Sequence, residues 1–463
     1  MTTTGPQAGS TAPDQPEAPA STPETPTAEA LAPVPPGRGR RPVRIPRSVR
    51  LAVPLLAVAL VGLVLAQGIA GPAGGAPTAG VETADASPAS PPGSPGGTSA
   101  AATPVVTPGP VTGRAGALLP LSREVFGFLP YWTLDDDTAD ALRYDHLSTI
   151  AFFGIGIRKN GSLTTKLPGY RAYTSENAAR ITERAHAAGV RVVPTFQLFD
   201  KGTLPNMTAF LGDRDAQAAF VGAALDLMAE RGADGAVLDF EPLPARLTAS
   251  FAVFAADFAR AIHARDPGAH LTVTLHQGAS DTQVATIAGA VDRIFVMAYD
   301  YHWRGSASAG PVAPIDGPGG DVRTTLDRFV ESAGPAKVIL GVPYFGYDWP
   351  VAFQGPGATV STPVADNGGS WSVGYSAATD FLAKHPTVTS EWDPIASSPY
   401  FTYRDAKKDT YRQVWYEDER SIAAKYALAD EAGVTGIGIW ALGMDRGRDD
   451  LWDVIRATFV TKG

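Results

Sequence analysis

Two carboxylates, Asp239 and Glu241, end the segment Asp234-Gly-Ala-Val-Leu-Asp239-Phe-Glu241 after a short apolar run. In an extended strand alternate side chains share a face, so Val237, Asp239 and Glu241 project together. At roughly 3.3 Å per residue, the Cβ atoms of the two acids stand about 6–7 Å apart. Acids pressed together on an inward wall do not serve packing, because each resists desolvation. Their crowding raises the pKa of one and leaves it able to donate a proton near neutral pH. Cleavage of a glycosidic bond needs such a donor. An isolated Asp-x-Glu also occurs at solvated strand ends, so the surrounding elements must decide.

Those elements repeat. Short apolar runs cover residues 124–132, 147–157, 191–199, 235–241, 271–277, 293–301, 337–347 and 436–442. Ala-rich amphipathic stretches such as 175–188, 215–231 and 249–265 lie between most of them. Strand and helix alternating eight times, with strands apolar on both faces, predict an α/β fold, a parallel (β/α)8 TIM barrel. An open doubly wound sheet would need a glycine-rich phosphate loop after an early strand, and none is present. In barrels of this kind chemistry sits at the C-terminal strand ends. Asp239 and Glu241 fall there on the fourth run, Met297, Tyr299 and Asp300 on the sixth, and Trp440 on the eighth. Gly436 and Gly438 share a face with Trp440 and are expected to leave room for its ring. Tyr299 and Trp440 could equally cap or plug the barrel, as large aromatics usually do.

The seventh and eighth runs are far apart, which predicts a small α+β insertion at about 350–418. It holds Trp371, Trp392, Tyr400, Phe401, Tyr403 and Trp415, with a hairpin from 400–403 and 411–416 around the polar turn 405–409. Such an insertion either borders the cleft with aromatics for sugar rings or folds around its own small core. The covering helix is expected to start near Ser421.

With these residues in place, the chain resembles glycoside hydrolase family 18, the chitinase-like barrels. The family pattern is matched by Asp234-Gly-Ala-Val-Leu-Asp239-Phe-Glu241, by Met297-Ala-Tyr299-Asp300 and by Gly438-Ile-Trp440. Gly341-Val-Pro-Tyr-Phe-Gly-Tyr-Asp-Trp349, Val414-Trp-Tyr-Glu-Asp418 and Gly436-Ile-Gly-Ile-Trp-Ala-Leu-Gly443 look like the bacterial spore-cortex-lytic and germination-type N-acetylglucosaminidases. The likeness covers about residues 122–460. It implies a retaining, substrate-assisted reaction without metal or organic cofactor. Glu241 would be the acid, and Asp239 would hold the substrate acetamide and offset positive charge. Tyr299 would bond the acetamide oxygen. Trp440 would floor the subsite, lined also by Met297, and Asp300 would contact sugar hydroxyls or orient Tyr299. Two departures stand out: Val237 occupies a position where many members carry an acid, and Pro194-Thr-Phe-Gln-Leu replaces the usual Ser-x-Gly-Gly.

Ahead of this domain (119–463) the composition changes. Residues 1–50 are rich in Pro, Ala, Thr and Glu and end in six arginines between Arg38 and Arg50, which predicts a disordered cytoplasmic leader. Residues 51–70 carry no charge, and a helix of that length would be about 30 Å long, enough for a single membrane anchor. The basic flank puts the remainder outside the cytoplasm; a cleaved signal peptide would export it too. Residues 71–118 read as a flexible linker. The chain has no cysteine, hence no disulfide or thiolate metal site, and its seven His show no ligand spacing. A net charge of −9 speaks against nucleic acid. Three functions remain open: a membrane-tethered hydrolase of N-acetylglucosamine glycans with peptidoglycan favoured over chitin, a chitinase, and an inactive sugar-binding barrel.

Overall fold

The computed structural model describes residues 120–461 apart from 136 and 362–368. The expected leader, membrane segment and linker lie outside the described residues. No helix among the described residues is long and apolar enough to cross a membrane.

Eight parallel strands close into a barrel. They are β1 (Glu124–Pro130), β2 (Thr149–Gly156), β3 (Arg191–Phe199), β4 (Gly235–Glu241), β5 (His270–His276), β6 (Arg293–Met297), β7 (Val338–Pro343) and, after an insertion, β13 (Gly436–Trp440). Around the barrel the order is β1-β13-β7-β6-β5-β4-β3-β2, and β2 pairs back with β1. Helices follow the strands and are capped locally. Ser175 accepts from the Ala178 N–H to start Glu176–Ala187, and Asp213 caps Arg214–Arg231. That second helix stops at Gly232, whose φ of 66° is left-handed backbone that glycine adopts without strain.

The outward side of β4 fixes its inward side. Phe240 packs between helices, its ring 5.0 Å from Phe251 and 5.9 Å from Phe210. Because strand side chains alternate, seating Phe240 among the helices turns Asp239 and Glu241 into the barrel. Inside, Phe126, Phe128 and Phe295 fill the axis, with Phe128 and Phe295 edge to face at 4.9 Å. Gly438 serves this layer and Gly436 the close approach of β1, and the Trp440 ring is not what they make room for. A Cβ on Gly438 would stand 2.0 Å from the Phe295 ring, and one on Gly436 would stand 2.1 Å from the Glu124 carbonyl oxygen.

Two expected strands end early. The sixth stops at Met297, since Asp300 adopts φ +62°, a left-handed conformation that Asp tolerates better than most residues. Tyr299 and Asp300 therefore stand on the loop just past β6. The seventh stops at Pro343, and after Tyr344 the chain continues as β8 (Phe345–Val351) in a different sheet. Every residue of both strands is buried, so no polar break marks the boundary in the sequence.

The insertion is a five-stranded sheet. It adds β9 (Trp371–Gly374), β10 (Glu391–Asp393), β11 (Ser398–Asp405) and β12 (Thr410–Trp415), in the order β10-β11-β12-β8-β9, with helix Tyr375–Lys384. It begins at Phe345, ahead of the expected 350. Three of the six aromatics expected there are core residues: Tyr400 stacks on Trp415 at 4.5 Å as part of the main core, and Phe401 packs with Val414 and Tyr416 in a small separate one. Trp371 lies under the Arg412 guanidinium and Trp392 under that of Arg420. The covering helix is Glu419–Glu431, started by a capping box between Asp418 and Ser421.

Candidate active site

At the C-terminal mouth of the barrel lies a cavity of about 390 Å³, within the range of small-ligand clefts. Asp239, Glu241, Met297, Tyr299, Asp300 and Trp440, six residues from three widely separated segments, all line it. The aromatic floor is Trp440, whose ring stands 4.7 Å from Phe153 and 5.4 Å from Phe128. None of the six insertion aromatics reaches the cavity, but Phe345, Tyr347 and Ser372 from the same sheet do.

The two acids of β4 are hydrogen-bonded to each other. Burial pushes the Asp239 carboxyl up to about 6, although hydrogen bonds from Thr274 and Glu241 pull it down. Burial also holds Glu241 well above the ordinary carboxylate range, and the charges of Asp239 and Asp300 raise it further. The proton shared by the pair therefore resides on Glu241, which donates to an ionised Asp239. One acid is kept loaded and the other charged.

Val237 sits buried under this pair and offers it nothing polar. The support comes from the neighbouring strand. Val237 pairs with Thr272, so the residue abreast of Asp239 is Thr274, and its hydroxyl donates to Asp239 Oδ1. Thr274 was not singled out in the sequence, because the pairing register of β4 and β5 had to be known first.

Past β6, Tyr299 is almost fully buried, and burial raises its phenol well above the usual value, with Asp300, Glu241 and Asp239 adding to the effect. It stays a neutral hydroxyl. No hydrogen bond joins that hydroxyl to another described residue. Asp300 accepts a 2.9 Å hydrogen bond from the Tyr347 hydroxyl and is pushed up to about 6 by burial. Tyr347 lies inside the Gly341–Trp349 stretch, but the break after Tyr344 that aims it at the cavity is not visible there. Among the described residues no cluster of three or more His, Cys, Asp or Glu is arranged to hold a metal ion.

A loaded acid, an adjoining anion, a neutral phenol and an aromatic floor around a sugar-sized cavity form a constellation for glycosyl transfer to water. Comparison with known proteins agrees with that chemistry. The sequence model for Glycosyl hydrolases family 18 matches residues 127–445. The provisionally named sporulation-specific glycosylase YdhD of Bacillus subtilis (strain 168) is 28% identical over 364 residues, 74% of this chain and 78% of that one. The spore cortex-lytic enzyme SleL of Bacillus cereus superposes with a TM-score of 0.60 at 23% identity, covering 74% of this chain and 76% of SleL. A chitinase from Cycas revoluta in complex with (GlcNAc)3 gives 0.62 at 20% identity, covering 73% and 99%. The two structural matches show a shared fold, and the sequence match carries the assignment: the chain belongs to glycosyl hydrolases family 18 and is a glycoside hydrolase.

Proposed function

We propose that the protein hydrolyses β-1,4 linkages in N-acetylglucosamine-containing glycans with retention at the anomeric carbon, the substrate's own 2-acetamido group acting as nucleophile. The observation that carries this reading is that Glu241 and Asp239 are neighbours on one inward face of β4, lining the same cavity. An inverting pair stands about 6.5–9.5 Å apart to admit a water. Neighbours on one strand face approach the sugar from the same side and leave no such place for a water, and Asp239 is held back by the Thr274 hydroxyl, so the acetamide is the nucleophile that fits. Glu241 protonates the leaving oxygen while the acetamide oxygen closes on the anomeric carbon. Asp239 accepts from the acetamide N–H and offsets the charge of the oxazolinium ion. The Tyr299 hydroxyl donates to the acetamide oxygen, and Trp440 carries the sugar ring. Water then opens the oxazolinium with Glu241 as base.

Peptidoglycan is the preferred glycan and chitin the second reading. A cortex-lytic enzyme and a sporulation glycosylase stand among the relatives, beside a plant chitinase. The proposed location is extracytoplasmic, held by the apolar segment 51–70 with 71–118 as a tether, a reading that rests on composition alone. The test is proton NMR of the first products released by the purified full chain from chitohexaose and from peptide-free peptidoglycan strands. Retention requires the β anomer to appear first, and an initial α anomer eliminates the acetamide mechanism.

The paired acids also set a pH profile. Activity needs Asp239 ionised and Glu241 protonated, so kcat/KM should fall on the acid side near pH 6 and on the alkaline side as Glu241 loses its proton. Thr274→Val removes a hydroxyl that favours ionised Asp239. A charge-assisted hydrogen bond is worth about 1.5–3 kcal/mol, so the acid limb should move up by about one pH unit or more. An unmoved limb would remove Thr274 from the machinery.

A further inference from the structure

Arg304 carries the one permanent positive charge among the described lining residues of the mouth, and the reaction above does not use it. It lines the cavity on the loop after β6 and is the only Lys or Arg among its described lining residues. Its guanidinium is charged at any working pH. No ion pair or hydrogen bond ties that guanidinium to another described residue, and it is partly exposed. Its charge acts on the Tyr347 phenol, whose hydroxyl donates to Asp300.

The loop that presents it is pinned. The Trp303 carbonyl accepts from the Ser306 N–H at 2.8 Å and from Trp349 Nε1 at 3.2 Å, and the Trp303 N–H donates to the Ser306 hydroxyl at 3.0 Å. Gly305 packs so closely on the Trp303 ring that a Cβ would stand 2.3 Å from it. A fixed backbone thus carries an unpaired cation at the edge of a sugar cleft. The only other basic group there, His276, already accepts from the Gly278 N–H at 3.2 Å through Nδ1, and partial desolvation holds it below its usual value.

We propose that Arg304 reads a carboxylate borne by the sugar next to the one seated on Trp440. This rests on the hydrolase reading above and deepens it by naming the substrate class: an N-acetylated hexosamine glycan in which a neighbouring unit carries an acid, as a 3-O-lactyl ether does. An unsubstituted N-acetylglucosamine polymer offers the guanidinium only hydroxyls and amides. An acid offers a bidentate, charge-assisted partner in a partly desolvated place.

The experiment compares three β-1,4 N-acetylglucosamine oligomers of equal length: one with free 3-O-lactyl acids on alternate units, its lactyl methyl ester, and the unsubstituted oligomer. The full chain and Arg304→Gln are assayed on each. The wild type should prefer the acid to its ester, the preference should shrink with added salt, and Arg304→Gln should lower the acid-to-ester ratio of kcat/KM about tenfold. Arg304→Lys should restore part of that ratio. An unchanged ratio, or an equal loss on all three substrates, overturns the carboxylate reader, the latter reassigning Arg304 to positioning Tyr347. Wild-type cleavage of the unsubstituted oligomer without preference for the acid keeps the hydrolase reading and sinks this one. Cleavage of none sinks both.

Discussion

Glu241→Gln should lower kcat on N-acetylglucosamine oligomers by about a hundred- to ten-thousand-fold, the range that a positioned general acid supplies. The substitution is nearly isosteric, and the amide can still donate a hydrogen bond to Asp239, so the wall of the cavity keeps its shape. What disappears is the proton that burial and the neighbouring acids keep on Glu241. Substrate binding should change little, because the acid's advantage is expressed only as the leaving oxygen gains charge. An aryl glycoside whose leaving group needs no protonation separates this loss from general damage. Its cleavage should fall far less than that of the natural linkage. A variant that keeps more than a tenth of the wild-type kcat on the oligomers would show that the proton comes from another residue.

The barrel was legible because each strand is buried on both faces and flanked by amphipathic helices, so periodicity alone reported topology. Asp239 and Glu241 were legible for a related reason: β4 has one acid at each inward position of its end, and Phe240 between them is plainly apolar. What periodicity could not supply was anything that depends on two strands at once. Thr274 becomes a partner of Asp239 only through the β4–β5 register. Gly438 makes room for Phe295, a residue of another strand, although Trp440 is nearer in sequence. The aromatics of the insertion looked equally suited to sugar and to a core. The burial of Tyr400, Phe401 and Trp415 followed from the sheet's own pairing, in which β8 leaves the barrel one residue after β7 and brings Tyr347 and Phe345 to the cavity instead. Sequence spacing finds faces; pairing decides which faces meet.

Asp239→Asn should do two opposite things. On the proposed mechanism it removes the anion that offsets the oxazolinium charge, and loss of one preorganised electrostatic group of this kind costs about a hundred- to a thousand-fold in kcat. The same anion is a burden on the fold. Asp239 is almost wholly buried, and burial lifts its carboxyl from 3.8 to about 6. A carboxyl raised in this way gives its full stability below its unfolded value of roughly 4, and that stability is lost as pH climbs through about 6. Holding Asp239 ionised at pH 8 therefore costs on the order of 3 kcal/mol relative to its protonated form. Asn is neutral at every pH and can still accept from Thr274 and meet Glu241 with its amide. The variant should thus melt a few degrees above the wild type at pH 8 and close to it at pH 4.5, where the wild-type residue is itself protonated. Thermal melts at the two pH values read this directly. A gain of equal size at both would point to packing, and a loss at pH 8 would mean that the charge is better solvated than its burial implies. The inactive variant being the more stable one is the mark of an acid kept charged for chemistry at the expense of the barrel that holds it.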